Sequence, residues 1–205
     1  MLHLQTVTSD TLELLMAISA KPEMRGFRLV GGTALALQYG HRQSVNLDFF
    51  GTPSVPQEDI IDLLSSLGLL AVHNRTDKIL QVVLQGIKVD VIDYSRYKWI
   101  DTPIEESGII LASPKDIAAI KINAVVGRGC RKDFVDIYML LQHYSLGDLL
   151  DFYAQKYPNY SVFRALLSLT YFDDAESQAM PKMFISQTWE EIKTFISDKV
   201  REYNR

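Results

Sequence analysis

The sequence predicts an α+β fold: a mixed sheet with flanking helices over residues 1–112, then a C-terminal helical bundle over 113–205. Three observations predict it. Short β-rich runs bounded by Gly, Pro and polar turns are confined to the first half. From "ASPKDIAAIKINAVVGRG" onward, apolar residues recur at helical spacing. No internal repeat, low-complexity tract or linker separates the halves, so the helical subdomain is expected to pack on the α/β core as one body.

The elements follow in order. "TSDTLELLMAISA" opens with capping residues and places Leu12, Leu14, Leu15 and Ile18 at helical spacing, which predicts a first helix ending near Lys21-Pro22. "GFRLV" is a strand, and "TALALQYG" is a two-turn helix closed by Gly40. "SVNLDFF" is a second strand. "VPQEDIIDLLSSLG" begins at Pro56 and stops at Gly68, a helix. "DKILQVVLQGIKVDVIDY" divides at Gln85-Gly86 into a hairpin. Ser113 caps a long helix that has Pro114 in its first turn and breaks at Gly129. "RKDFVDIYMLLQHY", "LGDLLDFYAQKY", "SVFRALLSLTYF" and "TWEEIKTFISDKVREY" follow as helices.

With 205 residues and 47% hydrophobic content, the chain can bury a sizeable core. No apolar run is long enough to cross a bilayer, and "MLHLQTVTSD" lacks the regions of a signal peptide, so a cytoplasmic location without a membrane partner is expected. Cys130 is the single cysteine and can form no internal disulfide; beside Arg128 and Arg131 it reads as a bystander thiol or a reactive one. A formal charge of −4 excludes a broad basic surface that coats nucleic acid, so any grip on nucleic acid is local.

The chemistry gathers around "LVGGTALALQYGHRQSVNLDFF". Residues two apart on a strand share a face, which points Asn46 and Asp48 together and sends Val45, Leu47 and Phe49 to the core. Asp90 in "IKVDVID" lies on the polar face of its own strand. If the two strands are neighbours, Asp48 and Asp90 converge on one cation, and hard oxygen ligands of this kind suit Mg²⁺. Gly31 and Gly32 lead straight into a helix N-terminus, where backbone N–H groups favour an anion, and Thr33 adds a hydroxyl. Each feature has an ordinary reading as well: a plain turn, a solvated Asp48, an Asp90 paired only with Lys88.

In this order the residues resemble the first motif of the DNA polymerase β-type nucleotidyltransferase superfamily, and within it the AbiEii/AbiGii toxin branch. "GHRQSVNLDFF" resembles that branch's G-H-R-x-S-x-D-[LI]-D-F-F run, and "SPKDIAAIKINAVVGRGCRKDFVDIYMLL" its P-x-D-I-A-x-x-K and K-D-F-x-D-x-Y helices. "LTYFDDAE" is a further match, so the resemblance spans Gly31 to Glu176. It implies a nucleotidyltransferase-like sheet, Mg²⁺, and transfer of a nucleoside monophosphate from an NTP. Members include toxins of type IV toxin–antitoxin or abortive-infection systems, some of which modify tRNA, so an RNA acceptor and an antitoxin protein are implied partners. Carried over, Gly31, Gly32 and Thr33 hold phosphates, while Asp48 and Asp90 hold metal and Asp90 also takes a proton. Asn46 stands where the family has its first Asp, and its neutral carbonyl is a weaker metal ligand.

In the helical half Lys121 sits on a helix that is apolar nearly all round. Its partner is bound phosphate or Asp48, a catalytic and nucleotide-binding role, unless it snorkels to the surface. Arg128, Arg131 and Lys132 beside Asp133 and Asp136 hold triphosphate or RNA, or else form local ion pairs such as Lys132 with Asp136. Arg42 contacts phosphate or orients Asp48, and His41 has no second His or Cys at metal-ligand spacing. Two other functions compete with this reading: a fold that has lost catalysis and acts by nucleotide or protein binding, which Asn46 favours, and a small-molecule nucleotidyltransferase of the antibiotic-modifying type.

Overall fold

A computed structural model describes residues 1–204. The chain forms two compact units, the first comprising 1–40, 44–98 and 102–112, the second 41–43, 99–101 and 113–205.

The first unit is built on a seven-stranded mixed sheet. Its strands are β1 (Phe27–Val30), β2 (Leu47–Gly51), β3 (Leu70–Arg75), β4 (Ile79–Leu84), β5 (Ile87–Asp93), β6 (Ile104–Glu106) and β7 (Ile109–Leu111). They are ordered β3-β4-β5-β2-β1-β7-β6. The β2–β5 pair is parallel, whereas β1–β2, β3–β4 and β4–β5 are antiparallel. Helices α1 (Ser9–Ser19), α2 (Gly31–Tyr39) and α3 (Gln57–Ser66) complete this unit. Leu15, Leu29, Leu47, Leu64, Leu80 and Leu84 are fully or almost fully buried in it. Thr8 caps α1 by accepting from the Thr11 amide, and Gly40 closes α2 with φ +71°. The β4–β5 hairpin turns through Gln85 (φ 52°) and Gly86 (φ 82°), the double positive-φ turn that matches strand twist.

Two strand expectations need correction. The second strand begins at Leu47, so Ser44, Val45 and Asn46 lie before it. Val45 is therefore 53% exposed and not in the core: strand alternation does not extend into a segment that has no ladder partner. Strand β3 and the β6–β7 hairpin add to the sheet beyond the runs the sequence marks out.

The second unit holds α4 (Pro114–Arg128), α5 (Arg131–Leu140), α6 (Leu146–Lys156), α7 (Val162–Ser168), α8 (Asp173–Glu176) and α9 (Trp189–Tyr203). Ser113 caps α4 and Gly129 ends it in the left-handed conformation, while α6 and α9 both begin with capping boxes. Phe134, Tyr153, Ile192 and Ile196 are buried in its core. Among the described residues, no helix is long and apolar enough to cross a membrane.

A buried ion pair fixes the segment 99–101 within this unit. The Lys156 Nζ lies 2.8 Å from Asp116 Oδ1, with both side chains fully enclosed, and 4.7 Å from the Trp99 ring centroid. Asp116 also accepts from the Ile100 amide (2.8 Å), the Asp101 amide (3.2 Å) and the Ser113 hydroxyl (2.6 Å). Removing one partner leaves an uncompensated charge in a site closed to water. Lys156→Met is expected to cost about 3–5 kcal/mol in urea unfolding at pH 7, and adding Asp116→Asn to recover part of that loss.

Candidate active site

In the first unit the parallel pairing of β2 with β5 places Asp48 directly opposite Asp90. Leu47, Phe49, Val89 and Val91 flank the two acids in sequence and are buried on the other face. Asp90 is itself 7% exposed. Its Oδ2 accepts from Gln81 Nε2 at 2.9 Å and lies 3.2 Å from Lys88 Nζ. Its Oδ1 is buried and has no hydrogen-bond partner.

Gly31 opens α2 with φ +68°, and a Cβ built there would come within 2.5 Å of Asp48 Oδ2. The absence of a side chain at Gly31 is therefore what lets the Asp48 carboxylate lie against this helix terminus. Val30, at the N-cap, supplies no side-chain cap, and the first turn carries no acid. Gly32 is buried in the same turn. Thr33 is fully buried; its hydroxyl lies 2.8 Å from that of Ser44 and donates to the Asn46 carbonyl. The expected phosphate-facing hydroxyl is thus occupied in fixing the segment that leads into β2.

These residues fit a magnesium ion. Two adjacent carboxylates offer hard oxygen donors, and one buried carboxylate oxygen stands without a partner. The fit is a sparse one, because among the described residues no group of three or more His, Cys, Asp or Glu is arranged to hold a metal. Asn46 stands two residues before Asp48, half-buried, as a neutral candidate for a third donor.

The second unit contains a buried charge cluster. Asp136 is fully buried and receives Arg42 through Nε (2.7 Å) and Nη2 (2.8 Å), His41 Nε2 (2.8 Å) and Lys121 Nζ (2.6 Å). Lys121, 3% exposed, also bonds Asp133 at 2.9 Å, and Arg128 clamps Asp133 at 2.9 and 3.1 Å. The partners of Lys121 are accordingly Asp133 and Asp136, in place of the expected phosphate or Asp48. Arg42 likewise donates to Asp136 through two nitrogens and to the Gln43 carbonyl through Nη1 at 3.0 Å. The expected Lys132–Asp136 pair does not form, since Asp136 turns inward to Arg42 and Lys121. Arg131 faces α8, where it donates to the Ala175 carbonyl at 2.9 Å, and it stacks 4.8 Å from the Trp189 ring centroid.

Burial alone would raise the Asp136 carboxyl, but the charges of Arg42 and Lys121 outweigh it and hold the group well below the usual carboxylate range. Asp133 is lowered in the same way, its burial outweighed by Lys121 and Arg128. Lys121 is raised despite its burial because Asp136 and Asp133 face it. Lys132 is lowered, first by burial and then by Arg128. His41 and Asp136 are the members of the cluster that the sequence did not assign to a site. The bonds reach across about ninety residues of sequence, beyond any local spacing rule.

The family model described as "Nucleotidyl transferase AbiEii toxin, Type IV TA system" matches residues 13–202. The chain belongs to the AbiEii family. It is 37% identical over 186 residues to "Uncharacterized protein aq_aa25" of Aquifex aeolicus (strain VF5), covering 86% of this chain and 87% of that one. Among solved structures it is similar to JHP933 from Helicobacter pylori, with a TM-score of 0.54, 15% identity, and 97% of this chain and 95% of the other covered. It is also similar to MenT4, a nucleotidyltransferase toxin of Mycobacterium tuberculosis H37Rv, with a TM-score of 0.52, 15% identity, and 92% and 80% covered. The α+β expectation and the AbiEii resemblance both hold.

Two outcomes are expected for this AbiEii-family chain. The lowered carboxyls of Asp133 and Asp136 stabilise the folded state fully above the unfolded carboxylate pKa of about 3.9, and that contribution is lost as pH falls through their folded values. Thermal melting is thus expected to be insensitive to this cluster from pH 7 to about pH 4 and to fall below it; Asp136→Asn costs about 3–5 kcal/mol at pH 7 and flattens the acid limb. Gly31→Ala and Gly86→Ala both force a side chain into positive φ, at roughly 1–2 kcal/mol each. A Cβ at Gly86 meets nothing within 4 Å, so Gly31→Ala is expected to cost the more of the two in denaturant melts, by the displacement of Asp48.

Proposed function

We propose that the protein transfers a nucleoside monophosphate from an NTP to a hydroxyl of an RNA acceptor, with tRNA the class tested first, as the toxin of a pair whose antitoxin is a second protein. The observation that carries this reading is the register of Asp48 against Asp90 beside the Gly31 turn.

Asp48 and Asp90 would hold Mg²⁺, with the Asn46 side-chain carbonyl as a neutral third donor. An ion held there would polarise the reacting phosphoryl group and offset charge on the departing pyrophosphate. The Gly31-Gly32 turn donates backbone N–H groups to phosphate oxygens at the start of α2, where Val30 supplies no side-chain cap. The acceptor oxygen forms a bond to the α-phosphorus as the bond to pyrophosphate breaks, and Asp90 takes the acceptor's proton.

Asn46 supports a second reading, in which the site binds nucleotide but transfers poorly. A neutral amide in place of an acid removes one charge from the metal's ligand set. A transfer assay with Mg²⁺, labelled NTPs and total tRNA separates the readings. Wild type is expected to label RNA, and Asn46→Asp to raise labelling at limiting Mg²⁺ by about tenfold, equivalent to ~1.4 kcal/mol of added ligation. Label confined to a small-molecule acceptor refutes the RNA reading. Inactive wild type beside active Asn46→Asp supports the second.

A further inference from the structure

Three side chains form a continuous hydrogen-bonded row on the face of the sheet that carries Asp90. Asn74 on β3 lies opposite Gln81 on β4, which lies opposite Asp90 on β5. Asn74 Nδ2 donates to Gln81 Oε1 at 3.1 Å, and Gln81 Nε2 donates to Asp90 Oδ2 at 2.9 Å. Each link fixes the next. The bond from Asn74 engages the oxygen of the Gln81 amide and turns its NH₂ toward Asp90.

The row exists because of an irregularity in β3. Val72 pairs with Val82 but Asn74 pairs with Gln81, so His73 is an extra residue in the ladder. A bulge of this kind re-aims the side chains that follow it, and here it brings Asn74 into line with Gln81.

The consequence falls on the two oxygens of Asp90. Both of its polar contacts, Gln81 and Lys88, converge on Oδ2, while Oδ1 stays buried and unpartnered. A carboxylate on a short side chain can rotate about its terminal torsion, and that torsion is broad. A charge-assisted hydrogen bond to a single oxygen holds it in one orientation.

We infer that Gln81, set by Asn74, is a positioning residue that holds Asp90 with Oδ1 free for the divalent ion. This rests on the metal-binding reading of Asp48 and Asp90. Gln81 touches neither the nucleotide nor the ion in this assignment; it acts through Asp90.

The test is Mn²⁺ binding to the full chain, followed by the electron paramagnetic resonance of the free ion and independent of catalysis. Wild type is expected to bind Mn²⁺ and Asp90→Asn to lose that binding. Gln81→Leu, which keeps the side chain's bulk, is expected to weaken binding about tenfold, as for loss of one hydrogen bond to a charged group. Asn74→Leu is expected to weaken it by about threefold, with melting temperatures close to wild type because both residues stand at or near the surface. Gln81→Leu with wild-type affinity, in a protein whose binding Asp90→Asn abolishes, overturns this inference and leaves the metal reading intact. Wild type without Mn²⁺ affinity, or binding that survives Asp90→Asn, overturns the metal reading and the inference with it.

Discussion

The chemistry of the first unit depends on one register, the parallel pairing of β2 with β5 that sets Asp48 beside Asp90. Side chains alternate along a strand, so a slip of one residue would bury one acid and expose the hydrophobic set that now faces the core. Leu47 and Phe49 on β2, with Val89 and Val91 on β5, hold the register by burying the alternate positions. The packing of the core and the location of the acids are one constraint seen from two faces of a sheet. Neighbouring strands lie about 4.8 Å apart, which puts two carboxylates within reach of a common cation.

That placement has an electrostatic cost, since like charges side by side repel. The surroundings offset it locally. Lys88 stands 3.2 Å from Asp90, and Gln81 donates to the same oxygen. Gly31 leaves room for the Asp48 carboxylate at the positive end of α2. The second unit treats the same residue type in the opposite way. Asp133 and Asp136 are enclosed among Lys121, Arg128, Arg42 and His41, with their bonding capacity spent on these partners. An acid whose oxygens are all engaged maintains structure; one with an unpartnered oxygen can take a ligand.

Much of this was legible in the sequence wherever a local rule governed the outcome. The hairpin at Gln85-Gly86 required positive φ at two residues, and the cap at Ser113 with Pro114 marked the start of α4. Asp48 and Asp90 each sat on the polar side of an apolar alternation, and their pairing followed once the strands were neighbours. The rest depended on contacts distant in sequence. Arg42 and Asp136 stand 94 residues apart, so the partner of Arg42 could not be read from spacing. Strand β3 is exposed along nearly its whole length and gives no alternating signal, which hid both the bulge and the alignment of Asn74 with Gln81. Val45 misled for a related reason: the alternation of β2 was carried three residues past the start of its ladder.

The same boundary explains how the fold accommodates Asn46. What holds this position is its backbone carbonyl, which accepts from the buried Thr33 hydroxyl, and that bond is indifferent to whether the side chain is an amide or an acid. The path of the chain into β2 is therefore preserved while the charge of the site changes. An acid two residues before Asp48 would add a third negative charge to those of Asp48 and Asp90 and would increase repulsion in the metal-free protein. An amide relieves that repulsion and gives up ionic attraction for the metal in the same step. Fold and metal affinity are thus separable at this position, because the fold depends on the main chain of Asn46 and the affinity on its side chain.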